Sequence, residues 1–181
     1  MVKAAASSKA GARGLLFLPY LNGERCPHPD PAARGAIIGL TARHSLGDVA
    51  RSVMEGVVHA FYDMHALMKS MRIEGQLIKA SGGGARSPLW RQIQADMFGC
   101  DVVTTEGAAE GGAFGAALVA GVGIGVWKDA TVAAGILREL TRQKADHSHN
   151  DVYRKAHEVY RGLYPALSQS FHVLSDPVFA G

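Results

Sequence analysis

Three consecutive glycines, Gly82–Gly84, separate a short apolar run from a segment with helical character. The run Gln76–Ser81 predicts a β-strand, and Pro88 begins a predicted helix that ends at Gly99. Glycines at a strand-to-helix junction let backbone N–H groups approach an anion, which the positive end of the helix then stabilises. The pattern indicates a phosphate or nucleotide site, with a plain tight turn as the alternative.

Two common phosphate-binding motifs do not occur in the sequence. No G-x-G-x-x-G is followed by an acidic residue about twenty positions later, and no G-x-x-x-x-G-K-[ST] is present. A Rossmann dehydrogenase and a Walker-type NTPase are therefore disfavoured.

The rest of the chain alternates between predicted strands and helices, which favours an α/β fold. Strands are expected at 14–18, 35–40 and 101–104. Ser45 is the expected N-cap of a long helix through about Lys69, and another helix starts near Glu110. Two peripheral helices are expected at about 127–142 and 149–171. On the long helix the methionines, Met54, Met64, Met68 and Met71, are interpreted as core filler.

Size and composition favour one compact domain. The chain has 181 residues, 48% of them hydrophobic, so we predict a single domain over 14–181 preceded by a flexible segment, 1–13. The net charge of +3 is scattered, which disfavours nucleic-acid binding. No signal peptide or membrane span is predicted. Cys26 and Cys100 belong to no C-x-x-C pair, so a reducing, cytoplasmic setting is expected.

Longer motifs around the glycine turn point to a family. Gly82–Asp96 (GGGARSPLWRQIQAD) resembles the adenosine-binding signature of the FGGY carbohydrate kinases. The upstream run Phe17–Arg25 (FLPYLNGER), with the residues up to Gly35, resembles the segment that distinguishes xylulokinases from glycerol kinases in that family. Gly35–Gly56 resembles the second family signature. The chain is therefore identified as similar to the C-terminal, nucleotide-side half of such a kinase.

This resemblance implies a ribonuclease-H-like fold of the actin and hexokinase type, in which two domains close on ATP and a sugar. It implies that the nucleotide contacts the turn formed by Gly82, Gly83, Gly84, Ala85, Arg86 and Ser87. ATP would bind as MgATP, with no metal site on the chain itself. Phosphoryl transfer depends on positioning, on Mg²⁺ and on a carboxylate that takes the hydroxyl proton.

By the same resemblance, the catalytic Asp and the sugar-binding residues precede the segment where this chain begins. The expected reaction of the whole kinase is phosphorylation of a ketopentose, D-xylulose to D-xylulose 5-phosphate, and the chain alone is expected to be inactive. One alternative is a gluconokinase or another sugar kinase of the family. Another is a non-catalytic module that binds nucleotide. The face toward the missing domain is expected to be apolar and exposed, which favours self-association or a homodimer.

The charged residues and histidines outside the glycine turn have separate interpretations. Glu24 and Arg25 are candidates for closing the interdomain cleft, with an ordinary surface ion pair as the alternative. Glu55 is interpreted as a structural partner of Arg51. Asp96 is interpreted as a capping or packing residue, not a catalytic one. His147 and His149 form a His-x-His in a polar loop and are predicted to be solvated surface.

Overall fold

The structure, a computed structural model, describes residues 1–73, 75, 77–135 and 137–179. Its helices are α1 (Val2–Ala6), α2 (Leu46–Ser70), α3 (Pro88–Phe98), α4 (Gly112–Gly123), α5 (Ala130–Gly135) and α6 (Asn150–Leu174). Its strands are β1 (Leu16–Leu18), β2 (Ala36–Ile38), β3 (Leu77–Lys79), β4 (Asp101–Thr105) and β5 (Glu139–Gln143). Gln76, the first residue of one predicted strand, lies outside the described residues.

Helix α2 begins where the sequence predicts because Ser45 and Asp48 form a capping box. The Ser45 hydroxyl oxygen accepts the Asp48 N–H at 3.3 Å, and the Asp48 carboxylate accepts the Ser45 N–H at 2.8 Å. Ser8 also donates its hydroxyl to Asp48 at 2.6 Å. The hydrogen bond from Ser8 is the main reason that the pKa of Asp48 falls to about 2. The cap thus joins α2 to the N-terminal segment.

The N-terminal segment, residues 1–13, lies against α2. Ala5 and Ala12 are completely buried, and the Gly11 N–H donates to the Glu55 carboxylate at 3.0 Å. Buried apolar and hydrogen-bonded contacts of this kind stabilise a segment against the domain. The core therefore includes Ala5 and Ala12 of this segment, while the flexibility that we expected for residues 1–13 stays a prediction.

Strands β1 and β2 form an antiparallel pair in which Phe17 lies opposite Ile37. β1 also lies against α2, where a Cβ added to Gly56 would collide with the Phe17 carbonyl oxygen. Only a glycine permits this close approach of helix and strand. A core cluster then connects this layer to α6: Leu18, Tyr20, Ala33, Tyr160 and Phe171.

The second sheet has the strand order β3-β4-β5. β3 and β4 are parallel, with Ile78 opposite Val102. α3 connects them, as expected for a parallel pair that needs a crossover. Val102 and Val103 are almost completely buried, so β4 is the central strand of the sheet.

The sequence-based prediction of a helix over about 127–142 was correct for Ala130–Gly135 and wrong for 139–142, while Ile136 lies outside the described residues. The chain forms the short α5 and then β5, which is antiparallel to β4. Thr104 and Thr141 lie opposite each other with their hydroxyl oxygens 2.6 Å apart, and Arg142 pairs with Asp101 at 2.8 Å. Pairing with β4 thus overrides the local helical preference.

Helix α3 has the predicted bounds. The Ser87 hydroxyl oxygen accepts the Trp90 N–H at 3.3 Å, which caps the first turn. Gly99 ends the helix in the left-handed region, with φ of 68°. β3, Gly82–Gly84 and α3 therefore form the predicted strand, turn and helix.

The second peripheral helix is present as α6, but it is not peripheral. Four of its side chains are buried: Tyr153, His157, Tyr160 and Phe171. Tyr153 donates its hydroxyl to Glu55 of α2 at 2.9 Å. α6 therefore packs across α2 and β1 and completes the core.

The methionines of α2 differ from one another in burial. Met54 is buried in a core cluster with Val58 and Ile93. Met68 and Met71, which we predicted to be core filler, are 43% and 57% exposed. Within the described residues, no element fully covers these two side chains. The prediction of core filler was therefore wrong for Met68 and Met71.

Candidate functional site

The glycine turn, Gly82–Ser87, lies at the carboxyl ends of the parallel strands β3 and β4. A cavity of about 720 Å³ opens beside it. It is lined by Gly82, Ala85, Arg86, Arg91, Thr104–Glu110, Leu140 and Thr141. Ligands of open α/β sheets bind in the crevice at the carboxyl ends of the strands, so this cavity is the candidate functional site.

The first two residues of the turn, Gly82 and Gly83, have open space beside them. Gly82 has φ of 78° and donates its N–H to the Ala108 carbonyl at 2.7 Å. A Cβ on Gly83 would meet no atom within 4 Å, whereas one on Gly84 would contact the Trp90 ring at 3.5 Å. Gly83 is exposed, so its backbone is accessible to a ligand.

The remaining predicted site residues hold the turn in place or face the cavity. Ala85 is buried and its N–H donates to the Gly82 carbonyl at 3.2 Å. Arg86 is exposed and lines the cavity. Ser87 uses its hydroxyl as the cap of α3 and donates its N–H to the Gly84 carbonyl at 3.0 Å. All six predicted residues thus belong to one turn, and their contact with nucleotide stays a prediction.

Arg91, one turn into α3, was given no role by our sequence analysis. Its side chain is buried and donates from Nη1 to the Ala85 carbonyl at 2.5 Å. Nη2 and Nε donate to the Gln143 amide oxygen at 3.3 and 3.4 Å. The sequence could have identified Arg91 as a charged residue inside the glycine-turn motif. It could not have identified Gln143, which lies at the end of β5, because we predicted the preceding residues of that strand to be helical.

Two glutamates on the loop after β4 also line the cavity. Glu106 and Glu110 line it together with Thr105. Arg138 donates two hydrogen bonds to Glu106, and this interaction lowers the pKa of the Glu106 carboxyl. Carboxylates accept hydrogen bonds from amines and hydroxyls and repel phosphate. This side of the cavity is therefore better suited to a base or a sugar hydroxyl than to phosphate.

Glu24 and Arg25 do not line this cavity. The Glu24 carboxylate accepts the Arg25 N–H at 2.6 Å and the Cys26 N–H at 3.1 Å, so it stabilises its own loop. Backbone hydrogen bonds between Glu24 and Asp30, both 2.9 Å long, close this loop. The role of Glu24 and Arg25 in an interdomain cleft stays a prediction.

Glu55 has the structural partner that we predicted. Its Oε1 accepts the Arg51 Nε–H at 2.7 Å as well as the Tyr153 hydroxyl and the Gly11 N–H. Burial raises the pKa of Glu55, while these donors act in the opposite direction. The group joins α2, α6 and the N-terminal segment, so its role is structural.

Asp96 is also a packing residue, as predicted. It is buried and accepts hydrogen bonds from Gln92 at 2.6 Å and from the Asp146 N–H at 2.8 Å. His149 Nδ1 lies 2.8 Å from its second oxygen. The predicted solvated His-x-His is therefore wrong for His149, which joins the start of α6 to α3.

A buried histidine lies between α2 and α6. His59 stacks on Tyr160 and on His157, with ring centroids 5.0 and 5.3 Å apart. Burial lowers its pKa to about 3, with a further contribution from His157. His157 in turn contacts the Asp63 carboxylate at 3.2 Å. His59 is thus neutral in the folded protein and serves as a core residue.

Within the described residues, no group of three or more His, Cys, Asp or Glu side chains could hold a metal ion. None of the described helices is both long and apolar enough to cross a membrane.

Comparison with known proteins gives a consistent result. Residues 1–124 match the family model described as the FGGY family of carbohydrate kinases, C-terminal domain. The chain is 40% identical over 167 residues to a xylulose kinase of Staphylococcus epidermidis, which covers 91% of this chain and 33% of that protein.

Two solved structures have similar folds. The ligand-bound xylulose kinase from Lactobacillus acidophilus is 30% identical with a TM-score of 0.83, and the alignment covers 96% of this chain and 35% of that one. Gluconate kinase from Lactobacillus acidophilus is 31% identical with a TM-score of 0.84 and the same coverage. The chain spans about a third of the length of the relatives that it matches.

Proposed function

Because this chain belongs to the FGGY family of carbohydrate kinases, we propose that it forms the nucleotide-binding side of a sugar kinase. The predicted family and the predicted ribonuclease-H-like α/β fold are confirmed. The observation that carries the functional proposal is the glycine turn at the carboxyl ends of β3 and β4. Gly82, Ala85 and Arg86 of this turn line the cavity, and the Gly83 backbone is open.

In this proposal the nucleotide binds as MgATP over Gly82–Ser87. The exposed Gly83 backbone approaches the ligand, and the glutamates of the cavity accept hydrogen bonds from the base or the ribose. Mg²⁺ neutralises phosphate charge and comes with the nucleotide. The chain's own residues position the nucleotide and do not perform the proton transfer.

The proposed catalytic base, an Asp, belongs to the part of the kinase that this chain does not span. We therefore propose that the chain alone does not phosphorylate sugars and acts with the preceding part of the protein. D-Xylulose is the favoured substrate because xylulose kinases are among its relatives at up to 42% identity. D-Gluconate is the alternative, since gluconate kinase has an equally similar fold.

An exposed apolar groove supports the need for a second part. It has a volume of about 720 Å³ and lies between α2, α3 and β3. Phe61, Met68 and Leu77 line it and are 40%, 43% and 38% exposed. Within the described residues, no strand pairs with the outer edge of β3. A groove of this kind favours docking of another polypeptide, either the preceding part of the kinase or a second copy of this chain.

The cellular setting is proposed from the cysteines. Cys26 and Cys100 are both free thiols, and free thiols are typical of the reducing cytoplasm. We therefore place the kinase in the cytoplasm.

Calorimetric titration of MgADP into the purified chain tests the proposal. Gly83 does not have positive φ and has room for a side chain, so Gly83→Val should fold normally and block the ligand. Gly162→Val on α6 is the matched control, because a Cβ there also meets no atom within 4 Å. We expect saturable binding by the wild type and by Gly162→Val, and loss of binding by Gly83→Val.

Binding that survives Gly83→Val would reject the proposed site. For the chain alone, binding without sugar-dependent turnover is the expected result, because the proposed catalytic base lies outside it. To distinguish these functions, the chain is co-expressed with the N-terminal two thirds of the Staphylococcus epidermidis xylulose kinase and assayed with D-xylulose, D-gluconate and glycerol. Because that N-terminal part carries the expected sugar-binding residues, turnover of D-xylulose by the pair tests whether this chain completes a kinase. Absence of turnover despite nucleotide binding would support the non-catalytic alternative.

A further inference from the structure

Arg91 has an unusual environment for a charged residue. Its side chain is buried, and its partners are a backbone carbonyl, that of Ala85, and an amide oxygen, that of Gln143. Both partners are neutral. Burying a guanidinium is costly unless its N–H groups are hydrogen-bonded. The buried hydrogen bonds of Arg91 therefore need a role other than that of a surface ion pair.

The contact with Ala85 is one of several hydrogen bonds that hold the glycine turn. At its start, Gly82 donates its N–H to Ala108 on the loop after β4. At its end, Ser87 caps α3. Arg91 holds the middle, through the Ala85 carbonyl, and Gln143 orients the guanidinium from β5. The planar guanidinium has donors in a fixed geometry, which suits a brace between two elements.

We propose that Arg91 is a positioning residue of the nucleotide site, and that Gln143 is the residue that orients it. The inference rests on the proposed function, because the turn that Arg91 holds is the one assigned to the nucleotide. A site residue is effective when neighbouring contacts hold its geometry before the ligand arrives. Arg91 holds Gly83 and Gly84 in position before the ligand arrives, and it does not need to contact the ligand.

The variants follow from the hydrogen bonds. Arg91→Met keeps the apolar stem and removes both interactions, whereas Arg91→Lys keeps the charge but replaces the planar fork of donors with a single ammonium group. Gln143→Met removes only the orienting contact. The matched control is Gln92→Met, because Gln92 also connects α3 to the end of β5, through the Lys144 carbonyl at 2.8 Å, but does not contact the turn.

The first measurement is MgADP affinity by calorimetry, at a temperature where thermal scans show each variant folded. We expect Arg91→Met to weaken binding by about tenfold or more and Gln143→Met by about threefold, with Arg91→Lys between wild type and Arg91→Met. Gln92→Met should bind as wild type does. Equal losses in Arg91→Met and Gln92→Met would overturn the proposal, because they would show a general effect on packing.

The second measurement is hydrogen exchange of the amides of 83–87 in the ligand-free chain. Arg91→Met should accelerate exchange there by about tenfold while leaving the amides of α2 unchanged. Unchanged exchange in the turn would overturn the proposal. If wild type does not bind MgADP, the proposed function of the chain by itself fails, and the exchange result still decides whether Arg91 positions the turn.

Discussion

Helices α4 and α6 show opposite relations between composition and burial. α4 contains no charged residue, yet within it only Gly121 is buried. α6 is rich in charged and polar residues, yet it buries Tyr153, His157, Tyr160 and Phe171. Because a helix is buried only where another element covers it, apolar composition does not by itself place a helix in the core. α6 lies against β1 and α3 and contacts α2 through its side chains, whereas α4 has contacts mainly with α5.

The same contrast separates the two sides of the molecule. On the α6 side, buried hydrogen bonds connect residues more than ninety positions apart, such as Glu55 and Tyr153. On the other side, the end of α2, the edge of β3 and α4 expose apolar side chains, including Met68 and Val119. The first side therefore buries its polar and apolar groups against other parts of the chain, whereas the second leaves apolar side chains exposed.

The largest expected effect is on the α6 side. Arg51→Met would leave the Glu55 carboxylate buried without its ion pair, so we expect the free energy of unfolding to fall by about 3–5 kcal/mol. Urea denaturation measures this loss. Arg154→Met is the control, because the pairs of Arg154 with Asp151 and Glu158 are exposed, and its unfolding midpoint should stay near that of wild type. Similar losses of unfolding free energy in Arg51→Met and Arg154→Met would contradict the contrast between buried and exposed ion pairs.

The next effect depends on pH. The pKa of His59 is lowered from 6.5 to about 3 in the folded protein, so His59 binds a proton more readily when unfolded. Its contribution to stability is complete above pH 6.5 and is lost as the pH falls toward 3. We expect a loss of about 2 kcal/mol at pH 5. His59→Phe, which retains the stacking, should remove this dependence.

Urea denaturation between pH 7.5 and pH 5 measures this dependence. His147→Asn serves as the control because His147 is exposed, and it should follow the wild-type profile. A pH profile of His59→Phe identical to that of wild type would show that another group is responsible.

The smallest effect on stability is expected on α4. Val119 is 68% exposed, so Val119→Lys should change the free energy of unfolding of the isolated chain by less than about 0.5 kcal/mol. The same change should reduce self-association in sedimentation experiments if α4 contributes to an interface. A clear loss of stability would show that α4 is covered within the chain, and the comparison of the two helices would then be wrong.

Much of the fold was predictable because local patterns and tertiary contacts agree. The start of α2 at Ser45 and both ends of α3 follow from capping residues that act within a few positions. The pairing of Arg51 with Glu55 follows from helical spacing. The glycine turn was also predictable, since Gly82 requires a backbone conformation that other residues rarely adopt.

Other features depend on residues far apart in the sequence. β5 has no strong strand pattern and forms because β4 offers an open edge to Thr141 and Arg142. The contacts of His149 with Asp96 and of Arg91 with Gln143 span more than fifty positions. No local pattern predicts which partner will be within hydrogen-bonding distance.

By itself, the sequence determined the family, the strand-turn-helix unit and the helix ends, because these depend on interactions between residues close in the chain. Only the tertiary structure decided that α6 belongs to the core, that the end of α2 and α4 remain exposed, and that Arg91 holds the glycine turn. Burial and long-range hydrogen bonds depend on which elements meet. Hydrophobic stabilisation acts only where apolar surfaces cover each other, so it cannot be assigned to a segment before its neighbours are known.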